Sequence, residues 1–205
     1  SRGGVTLGRV EAGRALLPYE TDDRLHACQH GPVTTVRVRD AVGTEQLWTP
    51  FREHRRPGVR RRHLRKSIRG DWLEFEEVAH DLGLALRVRW TTSECFGFER
   101  RCSLRRLSGN GPITVTLVDG LTHVLPAGVD MALQNSMSCL VDAYKRAELH
   151  GDLGIFLLEA EISDSAAPAE SMRANAVWHI GLPGDEVSLS ETALARFIES
   201  GEWEA

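Results

Sequence analysis

Between Val33 and Leu117 apolar residues recur at every second position in short runs closed by turn residues, and no helix-length crossover separates one run from the next. Alternation of this kind places successive side chains on opposite faces of a pleated strand. A parallel sheet needs a crossover of a dozen or more residues between neighbouring strands, so runs this close together must pair antiparallel. The clearest run is Leu84 to Thr92, where Leu84, Leu86, Val88 and Trp90 face one way and Ala85, Arg87 and Arg89 the other. His80-Asp81-Leu82-Gly83 supplies a hairpin turn from the preceding run, Trp72 to Val78. Phe96, Phe98, Arg100, Cys102 and Leu104 alternate against Gly97, Glu99, Arg101, Ser103 and Arg105, and Gly109-Asn110-Gly111-Pro112 then turns the chain into Ile113, Val115 and Leu117. Val33 to Arg39 and Gln46 to Thr49 are shorter extended runs.

The second half continues the pattern less regularly. Thr114 to Gly128 reads as a strand, a turn at Asp119-Gly120 and a second apolar run. Asp130 to Leu149 carries apolar residues at helical spacing, and a short helix or irregular turn is expected at its start. Leu153 to Ile162 and Met172 to Ile180 read as strands. Ser190 then caps a helix that shows Leu194, Phe197 and Ile198 on one face and ends before Gly201. The expected fold is mainly β: a large antiparallel two-sheet sandwich over 1–189 and a terminal helix over 190–205.

The phrases TVTLVDGLTHVLPAG (Thr114 to Gly128), CLVDAYKRAEL (Cys139 to Leu149) and EISDSAAPAESMRANAVWHIGLP (Glu161 to Pro183) carry more than architecture. Together with FGFERRCSLRRLSG before them, they resemble the amino-terminal β-sandwich of cellobiose phosphorylase-type proteins, inverting glycoside phosphorylases built around an (α/α)6 barrel. The resemblance implies a sandwich of the galactose mutarotase-like kind, in a supporting role, with a strand over at least part of Ser138 to Arg146. Such a domain packs on a helical barrel of the same polypeptide, shapes a carbohydrate site and helps oligomers form. The family's catalytic acid resides in the barrel, so the resemblance implies no catalytic residue here. Before Leu64 the resemblance is weak.

Composition narrows the alternatives. The 205 residues are 41% hydrophobic and 26% charged, and no apolar run approaches the ~20 residues of a bilayer-crossing helix, so a membrane protein is not expected. The first residues show no signal-peptide pattern, and both ends read as cut from something longer; a cytoplasmic setting is expected. Four cysteines at irregular spacing, without a C-x-x-C pair, suit reduced core thiols better than zinc or a disulfide framework. The net charge of −4 conceals an asymmetry: residues 1–110 hold 21 Lys/Arg against 14 Asp/Glu, and residues 111–205 hold 4 against 15.

Chemistry-bearing residues are scattered. Arg52 to Arg69 holds nine Lys/Arg and two His, which suits phosphate contacts. No recognition helix or stacking platform accompanies it, so nucleic acid is disfavoured; a solvated loop, or a strand edge facing the acidic second half or a neighbouring domain, explains it more simply. His26, Cys28 and His30 in HACQH could project from one face of a strand, but no further ligand is identifiable from spacing, and neither a metal nor a cofactor is assigned. A mutarotase-like epimerase would draw on His80, His123 or His179 with Glu94, Asp119 or Glu170, yet no spacing ties these into one pocket. The glutamates at 74, 76, 77, 159 and 161 read as solvated strand faces. Of five tryptophans, Trp72, Trp90 and Trp178 fit core positions; Trp48 is the candidate for sugar stacking, and Trp203 for packing on a further domain. Trp48, Arg52 and His179 are therefore the candidate carbohydrate-binding residues. A stand-alone carbohydrate-binding module and a sandwich epimerase are the rival functions.

Overall fold

In the computed structural model, which describes residues 3–9, 11–19, 31–52, 59–162, 171–182 and 184–203, the alternating runs become strands. In chain order these are β1 (Gly8–Arg9), β2 (Glu11–Ala15), β3 (Gly31–Arg39), β4 (Glu45–Trp48), β5 (Arg60–Lys66), β6 (Trp72–Ala79), β7 (Leu84–Ser93), β8 (Gly97–Arg106) and β9 (Thr114–Thr122). Two short helices follow, α1 (Met131–Ser136) and α2 (Ser138–Tyr144), then β10 (Lys145–His150), β11 (Leu153–Leu158), β12 (Ala174–Val177) and the terminal α3 (Glu191–Glu199). The fold is mainly β and antiparallel, with a helix near its end. The sheets run β1-β2, β4-β3-β9, β5-β6-β7-β8 and β10-β11-β12.

The chain divides into two compact units. Unit 1 comprises Ser1–Gly3 and Thr34–Asp119; unit 2 comprises Gly4–Val33 and Gly120–Ala205 and includes α3.

In unit 1 the meander β5 to β8 follows from its turns. Gly83, at φ +63, closes the β6–β7 hairpin with its N–H on the His80 carbonyl at 3.3 Å, a left-handed position that glycine adopts without steric cost. That turn sets Phe75 opposite Val88, Glu77 opposite Leu86 and Leu73 opposite Trp90. One sheet face thereby gathers Phe75, Ala79, Leu84, Leu86, Val88 and Trp90, all buried. Val36 and Val38 of β3 and Trp48 of β4 supply the rest of this core. Each large apolar side chain buried in this way contributes about 1.5–3 kcal/mol relative to its exposed state.

Unit 2 has its own core of Leu125, Val129, Val141 and Leu158, with Ala15, Leu133 and Ile162 packed against it. The Asn175 side chain ties β12 to the carbonyls of Ala15 and Leu125, at 3.1 and 2.8 Å. On α3, Ala193 and Phe197 are buried, and Gly201 at φ +83 follows the last turn with its N–H on the Phe197 carbonyl.

Several expectations are corrected. Asp119-Gly120 is not a turn but lies inside β9; the break comes at His123, whose φ is +58. Ser138 to Tyr144 is helical and the strand begins only at Lys145, because the spacing of Met137, Leu140, Val141 and Tyr144 follows the helical period. The strands expected over 153–162 and 172–180 shorten to β11 and β12. Ser190 stands at the N-cap without a side-chain cap bond; its hydroxyl pairs with that of Thr192 at 2.6 Å.

Candidate functional site

Of the predicted sugar-contacting residues, Trp48 and Arg52 belong to unit 1 and His179 to unit 2. Trp48 is fully buried in unit 1, and its indole N–H donates to Glu77 Oε1 at 2.8 Å, so neither ring face is open to a sugar. The sequence suggested an exposed stacking residue, but Val36 lies opposite it and Arg60 stands over its ring at 5.8 Å. Arg52 follows the β4 turn, and its carbonyl accepts a hydrogen bond from the Arg62 guanidinium. His179 belongs to unit 2, where its Nε2 pairs with the Asp185 carboxylate on the surface.

The other tryptophans divide differently from expectation. Trp90 is core and Trp72 half-buried, but Trp178 is half exposed. Trp203 meets Phe197 edge-on at 6.5 Å, within its own unit. Of the epimerase candidates, His179 meets Asp185, while Asp119 is engaged by Arg100; Glu170 and the HACQH residues His26, Cys28 and His30 lie outside the described residues. Among the described residues no group of three metal-ligating side chains comes together.

Acidic groups instead organise unit 1 into three networks. The first is centred on Glu77, which has no exposed surface. Its carboxylate accepts from the Trp48 indole, from the Phe51 backbone N–H at 2.7 Å and from Arg62 Nε at 2.6 Å. Phe51 is held at φ +67, a conformation costly for a bulky residue, and the hydrogen bond to Glu77 together with edge-on packing against Phe75 at 6.1 Å offsets that strain.

The second network surrounds Asp119. Arg100 donates to both of its oxygens, at 2.5 and 2.8 Å; Thr34 donates to Oδ1 at 2.5 Å, and the Cys102 thiol lies 3.6 Å from the same oxygen. Burial pushes the Cys102 thiol up to about 12, further than the nearby Arg100 charge can lower it. A thiol in that state is not a nucleophile at neutral pH. For Arg100, burial favours the neutral form, but the Asp119 charge and hydrogen bonds outweigh it and raise its pKa.

The third network covers the opposite face of the β5–β8 sheet. Arg65 spans Glu74 and Glu76 at 3.0 and 2.9 Å, Arg87 reaches Glu76 at 3.0 Å, and Arg89 grips Glu74 at 2.9 and 2.7 Å while lying over the Trp72 ring at 4.8 Å. These glutamates are buried beneath arginines, correcting the expectation of solvated acids. Burial acts to raise their pKa, but hydrogen bonds and charge from Arg89, Arg65 and Arg87 prevail and hold both below the usual carboxylate range. Arg62 and Arg65 of β5 thus pair with glutamates of the next strand. Three arginine pairings leave no carboxylate here poised for proton transfer.

Compared with known proteins, the chain matches no family model and no curated sequence.

Unit 2 offers a different surface. Met131, Met137, Leu140 and Tyr144 on and between α1 and α2 are exposed, as are Met172, Trp178, Ile180 and Leu182 around β12. Among the described residues no helix is long and apolar enough to cross a membrane. Cys95 and Cys139 are free and exposed rather than core, and Cys102 is free and partly buried.

Proposed function

We propose that the chain is a non-catalytic supporting domain of a multidomain glycoside phosphorylase- or hydrolase-like enzyme. In this role it packs on a helical (α/α)6 barrel of the same polypeptide and shapes its carbohydrate site. The observation that carries the reading is the apolar surface of unit 2, where Ile180 is 90% and Met172 87% exposed. Apolar side chains this exposed, where they adjoin in one patch, suit a surface that another protein covers. The buried state of Glu74, Glu76 and Glu77 beneath arginines fits a scaffold better than an acid–base site. A cytoplasmic setting fits the same reading, as do the free thiols.

The coding sequence that follows residue 205 tests it. A long open frame with paired amphipathic helices and an acidic residue in an inter-helix loop supports the role, whereas a stop codon close behind Ala205 sinks it.

A stand-alone carbohydrate-binding module is the second reading. It is favoured by half-exposed Trp178 standing next to His179 and its partner Asp185, an indole beside hydrogen-bonding groups. Calorimetry with cello-oligosaccharides separates the two: heat of binding lost in Trp178→Ala favours the module, and its absence favours the support.

A further inference from the structure

The outer face of the β5–β8 sheet carries more positive charge than its glutamates neutralise. Strand register arranges this face in four rungs: Trp72, Thr91 and Glu99; Arg65, Glu74, Arg89 and Arg101; His63, Glu76, Arg87 and Ser103; Arg61, Val78, Ala85 and Arg105. Glu74 and Glu76 are engaged by Arg65, Arg87 and Arg89. Arg61, Arg101 and Arg105 are exposed and have no carboxylate partner among the described residues. Arg101 also stands directly opposite Arg89, and like charges in that relation destabilise a sheet. The fold thus bears an electrostatic cost that an anion laid on the face would remove.

We infer that this face binds a polysaccharide bearing carboxylate groups. Arg61 and Arg65 on β5 and Arg105 and Arg101 on β8 occupy the same two rungs, so the backbone positions of four arginines mark the corners of a field roughly 13–14 Å on a side, from four residues of rise and three strand spacings. Arg87 and Arg89 lie inside it, held in place by the glutamates beneath. Groups fixed in this way lose little freedom on binding, and the arginine fork pairs with carboxylates as it already does with Glu74 and Glu76. A repeating array of cations fits a chain that repeats its anions. Nucleic acid fits less well. The indole of this face, Trp72, is covered by Arg89, and single strands need bare rings on which to stack. This inference rests on unit 1 alone and stands or falls separately from the supporting role.

Fluorescently labelled polygalacturonate, a neutral glucan and a single-stranded oligonucleotide, titrated with the whole chain at low salt, test it. The inference expects polygalacturonate to bind, the glucan not to bind, and affinity to fall steeply as salt rises, despite the chain's net charge of −4. Arg101→Glu with Arg105→Glu weakens binding at least about tenfold, and Arg173→Glu in unit 2 leaves it unchanged. The double variant remains folded, with a thermal midpoint equal to or above that of the parent, since Arg101→Glu turns a repulsive rung into an attractive one. Absence of polygalacturonate binding, equal binding by the double variant, or tighter binding of the oligonucleotide overturns the inference.

Discussion

Glu77 shows how much of unit 1 depends on a single side chain. Three donors of different kinds, an indole N–H, a backbone N–H and a guanidinium, converge on one carboxylate with no access to water. Glu77→Gln keeps the shape but replaces one acceptor oxygen by a donor and removes the charge that Arg62 faces. The cost expected for breaking one side of a buried charged network is about 3–5 kcal/mol, read as a lower urea midpoint with Trp48 fluorescence as the probe. Cys102 offers an independent test at the same scale. Because its thiol is pushed up to about 12, iodoacetamide at pH 8 labels Cys95 and Cys139 in the native chain and reaches Cys102 only after denaturation, as peptide mass mapping resolves.

At the scale of elements, the strands β6, β7 and β8 were legible because apolar residues recur at second positions along them and a glycine turn joins β6 to β7. The charge lattice was legible too, had the hairpin register been carried through: a turn at 80–83 sets 74 opposite 89 and 76 opposite 87. The glutamates read as solvated because composition alone does not say that arginines will cover them. Asp119 failed for a related reason. Asp-Gly is a strong turn signal, yet here the aspartate is held in a strand by Arg100 and Thr34, contacts 19 and 85 residues away in sequence. Trp48 and Arg52 gave no local sign of where the chain would bury them.

The same lattice predicts an acid transition. Glu74 and Glu76 have folded pKa values below those of the unfolded chain, so the stability they confer is fully present above about pH 5. It is lost as pH falls through the ordinary glutamate value of about 4.3 towards their lowered folded values. Urea midpoints measured from pH 6 to pH 2 should fall through this window, and Glu74→Gln with Glu76→Gln should flatten the decline while lowering the plateau. A decline unchanged in that variant would assign acid sensitivity to other groups.

For the whole molecule, charge and apolarity are distributed unequally between the two units. Unit 1 holds 18 Lys/Arg against 11 Asp/Glu, a net of +7, whereas unit 2 is net −11. A net −4 therefore describes neither unit, and at low ionic strength the chain should be retained at pH 7 by a cation exchanger as well as an anion exchanger. Exposed apolar side chains occur in both units, Val42 and Ile68 of unit 1 among them, and are more numerous in the acidic unit. Met172 and Ile180 are almost wholly exposed, so replacing them should change stability by less than about 0.5 kcal/mol, because little packing is lost. If they belong to a surface meant to be covered, the native chain should bind a hydrophobic dye such as ANS, and Met172→Asp with Ile180→Asp should reduce its fluorescence without moving the thermal midpoint. Unchanged dye binding would mean that these side chains are scattered rather than joined in one patch, and would remove the observation on which the supporting role rests.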